Sequence, residues 1–373
     1  MTCSETGLLY RQTEERYVNS RASFFPEEVT RVTKFCTRMP GLGGRVVVTR
    51  KMVAERAGVS VATVSYVMNR TKNVTPQVQR RVEKAIEELG YKPNLVAKGL
   101  ASKRTQHVAL LVDNLKNPYY CEVLEGAQPL ASEKGYIVSV IAVDSFTQDI
   151  VQELISRKID GLLLALGSYD NSTLDRYQNL GGPVIWLGRY TTINYEPAYH
   201  AVIRELKENG HERIAFLSGI PISEPSHYRY KALCKAFSEF GIEYRENLIV
   251  DAKPNASTDG RMGEKAAREL LEREEPFTAL IAVNDLMALG AMKELRRHGY
   301  RIPEDISVIG CDNMHVLDYM YPTLSSVDTK AFETGKAFMD SLVECIDGRE
   351  PKRVELTAFY VPKASVTRAR DVL

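Results

Sequence analysis

Residues 49–69, TRKMVAERAGVSVATVSYVMN, carry two helix signals separated by one tight turn. Thr49 is placed to N-cap a first helix whose Val53, Ala54 and Ala57 share one face, and Gly58 supplies the flexible residue that ends it. After Val59, Ser60 is placed to cap a second helix, Val61 to Met68. There Val64, Val67 and Met68 face inward, while Val61, Ala62, Ser65, Tyr66 and Asn69 form an outer face. Two helices joined so closely bury little by themselves, and a third follows. Thr75-Pro76 opens it, Val78, Val82, Ala85, Ile86 and Leu89 make its apolar stripe, and Gly90 ends it. This is helix-turn-helix spacing with a bracing helix, which predicts a small all-α domain over residues 46–92.

Charge points the same way. The whole chain of 373 residues has a formal net charge of +1, which hides an asymmetry. Residues 46–105 hold 12 Lys and Arg against 4 Asp and Glu, residues 1–45 hold 7 against 5, and residues 106–373 hold 30 against 39. A basic head on an acidic body is what a reader of duplex DNA requires, because the duplex is a dense line of phosphates.

Residues 106–373 are too many for one ordinary domain, and strand and helix signals alternate through them. Val108–Val112, Ile137–Ile141, Leu162–Leu166 and Val184–Leu187 are apolar runs suited to buried parallel strands. A second series runs through Arg213–Leu217, Ile249, Leu280–Val283 and Val308–Gly310. Two doubly wound α/β lobes with a cleft between them are expected. A small molecule would then sit at the carboxyl ends of the strands, beside the loops after Val112, Leu217, Val283 and Ile309.

The run AGVSVATVSYVMN at 57–69, then LGYKPN at 89–94, then Ala97-x-x-Leu100, closely resembles the DNA-binding head of the LacI/GalR family of bacterial repressors. The body resembles the same family in Asn117-Pro118-Tyr119-Tyr120, Gly210-His211, TALIAVNDLMALGAM at 278–292 and IPEDISVIGCDN at 302–313. The two second-lobe strings are long enough to be specific. The resemblance covers nearly everything from Val46 onward. It implies a helix-turn-helix domain followed by a two-lobed, periplasmic-binding-protein-like effector domain.

The resemblance also implies roles. Val61, Ala62 and Tyr66 match positions that face base edges in the major groove, while Thr49, Ser60, Thr63, Ser65 and Asn69 suit phosphates or capping. Residues 93–105 match a hinge helix and linker, in which Asn94, Ala97 and Leu100 would reach DNA and Leu100 would wedge into the minor groove. Arg229, Asn284 and Asp312 match residues that hydrogen-bond effector hydroxyls or charged groups, Tyr119 and Tyr120 match a first-lobe loop that touches the effector, and Thr329 matches a pocket position near the lobe crossover. The same residue types have plainer uses: Asn284 or Asp285 as a helix cap, Asp312 in a turn, Arg229 as a surface cation.

Three departures stand out. Tyr66 replaces a frequent Arg, so the preferred operator should differ at that base; Met52 replaces a frequent Asp of a capping box on the first helix. Between Arg189 and Gly210 the chain is several residues short of the family pattern, in TTINYEPAYHAVIRELKENGH, which predicts a lost or shortened edge strand there. Trp186, the single tryptophan, reads as core and not as a sugar platform.

Residues 1–45 read as a flexible extension or the product of a start codon placed upstream, and they contain no apolar run suited to a secretory or membrane segment. The six cysteines and six histidines show no metal-ligand spacing, which fits a reducing cytoplasm, and no cofactor is expected. The expectation is a homodimeric, operator-binding repressor in the cytoplasm, modulated by a small molecule that is a sugar or sugar derivative. A sugar-binding or transport component sharing the body is opposed by the basic head. An enzyme is opposed by the lack of any convergent nucleophile and base.

Overall fold

The computed structural model describes residues 48–69, 72–92, 104–143, 146–166, 171–224, 227–253 and 256–370. The extension at 1–45 and the positions Asn94, Ala97 and Leu100 lie outside them. Contacts divide the chain into two units, Met1–Pro93 and Asn94–Leu373.

The described part of the first unit is three helices: α1 (Arg50–Ala57), α2 (Val61–Asn69) and α3 (Pro76–Leu89). Their inward residues Val53, Ala54, Ala57, Val64, Val82 and Ala85 close one small core with Tyr91. Thr49 Oγ1 accepts from the Met52 amide at 3.4 Å, so the first helix keeps a cap although the capping-box acid is absent. Gly58 and Gly90 take left-handed conformations that end α1 and α3. Thr75 sits at the N-cap of α3 but its hydroxyl makes no capping bond; Pro76 alone marks that start. An Arg56–Glu88 ion pair of 2.7 Å ties α1 to α3.

In the second unit, the first lobe comprises β1 (His107–Val112), α4 (Tyr119–Lys134), β2 (Ile137–Ala142), α5 (Gln148–Ser156), β3 (Gly161–Ala165), α6 (Asn171–Leu180) and β4 (Val184–Trp186). Its four strands are parallel, in the order β2-β1-β3-β4. The chain then crosses through β5 (Thr191–Asn194) into α7 (Glu196–Glu208), β6 (Ile214–Leu217), α8 (Tyr228–Phe240), β7 (Ile249–Val250), α9 (Gly260–Glu272), β8 (Ala279–Ala282), α10 (Asp285–Arg297), β9 (Ser307–Asp312) and β10 (Ser325–Asp328). It returns to the first lobe as α11 (Ala331–Ile346), then crosses back through β11 (Val354–Thr357) to β12 (Phe359–Val361). The second sheet has the order β12-β10-β9-β8-β6-β7, with β12 antiparallel to β10. The central strands β3 (GLLLA), β6 (IAFL) and β8 (ALIA) are short, wholly apolar runs, as expected of parallel strands buried on both faces.

Of the two outcomes expected near residue 191, a lost or a shortened strand, the loss does not occur. Thr191–Asn194 forms β5 and pairs in parallel with β11 across the crossover. What is short is the connection: Tyr195 alone separates β5 from α7, and the Asn194 side chain accepts from the Glu196 amide to start the helix.

Two helix pairs close by backbone contact. A Cβ on Gly126 of α4 would lie 1.9 Å from the Phe332 carbonyl oxygen, and one on Gly335 of α11 would lie 1.8 Å from the Val123 oxygen. In the second lobe, Gly263 of α9 faces the Met287 oxygen at 2.2 Å and Gly290 of α10 faces the Gly260 oxygen at 1.9 Å in the same sense. At the far end of α11, the Arg104 guanidinium donates to the Ile346 carbonyl and to Asp347, each at 2.8 Å. The chain therefore enters the first lobe clamped to the carboxyl end of that helix, where a cation is favoured.

Candidate functional site

On the head, α2 presents Val61 (44 % exposed) and the exposed Ala62 and Asn69. Ser60 Oγ accepts from the Thr63 amide at 3.1 Å and bonds the Thr63 hydroxyl, so both residues are engaged in starting the helix. Ser65 receives Arg50 Nη1 at 3.1 Å, and the same guanidinium reaches the Tyr91 hydroxyl. Tyr66 is half-buried, with the Lys72 ammonium over its ring. Of the residues matched to base reading, Val61, Ala62 and Tyr66 thus share the outer side of α2; of those matched to phosphates or capping, Thr49, Ser60 and Thr63 hold helix starts.

Between the lobes, four of the six residues implied for the effector converge. Arg229, in the first turn of α8, donates through Nη2 to Asp312 Oδ1 at 2.9 Å and through Nη1 to the Val283 carbonyl at 2.7 Å. Asp312 ends β9, and its φ of 120° is followed by 54° at Asn313. Side chains rarely adopt such values, and two in succession at a strand end store strain at this site. Burial raises the Asp312 carboxyl above its ordinary range while Arg229 pulls it back. From the first lobe, Tyr119 and Tyr120 stand edge to face, with ring centroids 5.6 Å apart. Burial pushes the Tyr119 hydroxyl well up, and Tyr195 and Asp312 add to the shift. Tyr120 donates to Asp113 Oδ1 at 2.7 Å. Glu122, half a turn on, accepts from the His315 backbone of the other lobe.

The other two implied residues are placed differently. Asn284 Oδ1 accepts from the Met287 amide and its Nδ2 donates to the Thr258 carbonyl, both at 2.9 Å, so its amide caps α10 and pins a neighbouring loop. Thr329 is fully buried at the crossover, and its hydroxyl finds no partner among the described residues.

Three contributors were not read as site residues in the sequence, where Asp285 figured only as a possible helix cap. Asp113 follows β1 and accepts the hydrogen bond of the Tyr120 hydroxyl. Tyr195 lies under the Arg229 guanidinium at 5.5 Å from its ring centroid. Asp285, fully buried, accepts from the Ser326 hydroxyl at 2.6 Å and from the Met314 amide at 3.0 Å, which fixes the turn that presents Asp312. A Cβ at Gly310 would meet its carboxylate at 2.1 Å, so this strand position must be glycine. Single acids next to strands carry no spacing signal that would have singled them out.

Ser218 and His227 are 3.0 Å apart, yet their polarity is wrong for a nucleophile and base. His227 Nδ1 accepts from the Tyr230 amide as the cap of α8, so Nε2 carries the proton and donates to Ser218, which donates to the Ile220 carbonyl. Burial, then Arg229, pushes His227 down to about 4 and keeps it neutral. Trp186 packs partly against the first-lobe core with the Arg189 guanidinium 4.7 Å from its ring centroid. Among the described residues no cluster of three His, Cys, Asp or Glu could hold a metal, and no helix is long and apolar enough to cross a membrane.

Residues 50–94 match the model for bacterial regulatory proteins of the lacI family, and residues 203–366 match a periplasmic binding protein-like domain. The chain is 32 % identical over 332 residues to the HTH-type transcriptional repressor PurR of Vibrio atlanticus (strain LGP32), covering 98 % of that protein and 85 % of this one. It is 30 % identical over 306 residues to catabolite control protein A of Priestia megaterium, covering 90 % of it and 78 % of this chain. Among solved structures it resembles the transcriptional regulator CelR–cellobiose complex, at 30 % identity and a TM-score of 0.61 over 85 % of this chain and 99 % of that one. The fold also matches the lac repressor dimer bound to operator and the anti-inducer ONPF, at 24 % identity and a TM-score of 0.73 over 86 % of this chain and 99 % of that one. With a matching head, a matching second lobe and relatives aligned over almost their whole lengths, the chain belongs to the lacI family of bacterial regulatory proteins.

Proposed function

We propose that the protein is a sequence-specific transcriptional repressor that binds operator DNA as a homodimer and is modulated by a sugar or sugar derivative held between its lobes. The observation that carries this reading is the pairing, in one chain, of a basic three-helix head with a cleft where Arg229, Asp312, Tyr119 and Tyr120 converge. A carboxylate and a guanidinium can satisfy polyol hydroxyls, and aromatic rings can cover an apolar sugar face. A dimer suits the head, because one such unit has a small interface and two on a palindrome add their contacts. Residues 46–92 would then be the reader, 93–105 the hinge and 106–373 the sensor. Ligand acts by binding two lobe arrangements unequally, and couplings of about 1–3 kcal/mol shift operator affinity roughly 5- to 150-fold. In this reading the protein works on DNA in the cytoplasm, as a binder and not an enzyme.

The test is selection of the purified protein on a random duplex pool, alone and with a panel of sugars and metabolites. Enrichment of a palindrome that a panel member strengthens or weakens supports the reading. Binding of a sugar with no sequence enriched under any condition overturns it in favour of a sugar-binding component.

A further inference from the structure

We propose that Lys72 is a positioning residue that sets what Tyr66 recognises on DNA. The inference rests on the regulator reading above and concerns one base pair of each half-site. The nine residues of α2, VATVSYVMN, contain no charge, yet two of its polar outer residues are each met by a cation from elsewhere. Arg50, from α1, takes the Ser65 hydroxyl. Lys72, three residues beyond the end of α2, places its Nζ 4.7 Å from the Tyr66 ring centroid.

A tyrosine ring has two faces, an edge and one hydroxyl. The hydroxyl both donates and accepts, so by itself it separates bases poorly. Selectivity requires that the ring be held at one angle. The ammonium does this by sitting on one face, attracted by the ring quadrupole, which leaves the other face, the edge and the hydroxyl for the groove. Because Lys72 is exposed and at the DNA-reading side of the head, its charge keeps its water or meets phosphate while its position holds the ring. The pair therefore acts as one recognition element assembled from a helix and the loop that follows it.

The experiment compares duplex selection for the full-length wild type, Tyr66→Leu, Lys72→Met, Lys72→Arg and the Tyr66→Leu/Lys72→Met double variant, with thermal unfolding of each as a control. Lys72→Met is expected to relax preference roughly two- to fivefold at the same symmetric base pair that Tyr66→Leu alters, with unchanged unfolding temperature. Lys72→Arg should restore the preference, and the double variant should relax it no further than Tyr66→Leu. Equal weakening of all sequences by Lys72→Met, with preference intact, would reduce the lysine to a phosphate contact and overturn the proposal. Relaxation at a different base pair overturns it too, by making Lys72 an independent reader. A wild type that enriches nothing, with or without the ligand panel, overturns the regulator reading beneath it.

Discussion

Arg229 donates to Asp312 at 2.9 Å and, through its other terminal nitrogen, to the Val283 carbonyl, so one guanidinium joins the ends of β8 and β9 at the cleft between the lobes. The Asp312 side chain is 4 % exposed and that of Arg229 19 %. Arg229→Met leaves a buried carboxylate unpaired, which costs about 3–5 kcal/mol. Urea unfolding should show this loss, and adding Asp312→Asn should recover part of it. Equal stability of the wild type and Arg229→Met would refute the pairing as a structural tie.

Asp285 holds the same turn without reaching the cleft. Asp285→Ala strands the Met314 amide and the Ser326 hydroxyl, at about 1–3 kcal/mol each. Ligand titration by calorimetry should show weaker effector binding from a protein that still folds. Unaltered affinity would separate this turn from the site.

His227 predicts a pH dependence. Its folded value, pushed down to about 4, lies below the ordinary 6.5, so the unfolded chain takes up the proton first. Its contribution is constant above about pH 6.5, is lost as pH falls towards about 4, and amounts to about 3 kcal/mol. Asp285 and Asp312, raised by burial, act in the opposite direction as pH falls. The informative measurement is thus the difference between wild type and His227→Asn from pH 7 to 4, which should narrow with acid; a constant difference would contradict a buried neutral imidazole.

Gly126→Ala and Gly335→Ala each place a methyl inside a carbonyl of the facing helix, and α4 and α11 must separate. Overpacking of this kind costs typically about 1–3 kcal/mol. Gly260→Ala, whose added carbon would lie 3.4 Å from its nearest neighbour, is the control and should cost far less in the same thermal scan.

Leu100 is assigned from the family resemblance alone. Leu100→Ala should weaken binding to the selected operator far more than to random duplex, as measured by competition at fixed salt. Equal losses on both would remove the wedge role.

The elements were legible where local chemistry and tertiary packing agree. Thr49, Gly58, Pro76 and Gly90 bound the head helices because caps and left-handed ends are local events. The strand runs ending at Val112, Leu217 and Ala282 were readable because burial on both faces leaves only apolar residues. The strand at Thr191–Asn194 was not, because its partner, Val354–Thr357, is over 150 residues away and polar residues alternate in both. In the site, Asp312 was legible within the string at 302–313 and Arg229 through the position-by-position resemblance, whereas Tyr195 and Asp285 matter through partners 34 and 41 residues distant that no spacing reveals. The double use of the Asn284 amide is likewise visible only once Thr258 is folded against it.

Helix α11 has 16 residues, a length of about 24 Å, with Lys330 at the crossover before its first turn and Arg104 fastened to its last. Because Gly126 and Gly335 seat it against α4 backbone to backbone, the rod cannot shorten or slide without opening that seam. In mechanical terms it would serve as a lever of fixed arm: any rotation at the crossover would be carried along its length to residue 104, which is fastened to its carboxyl end.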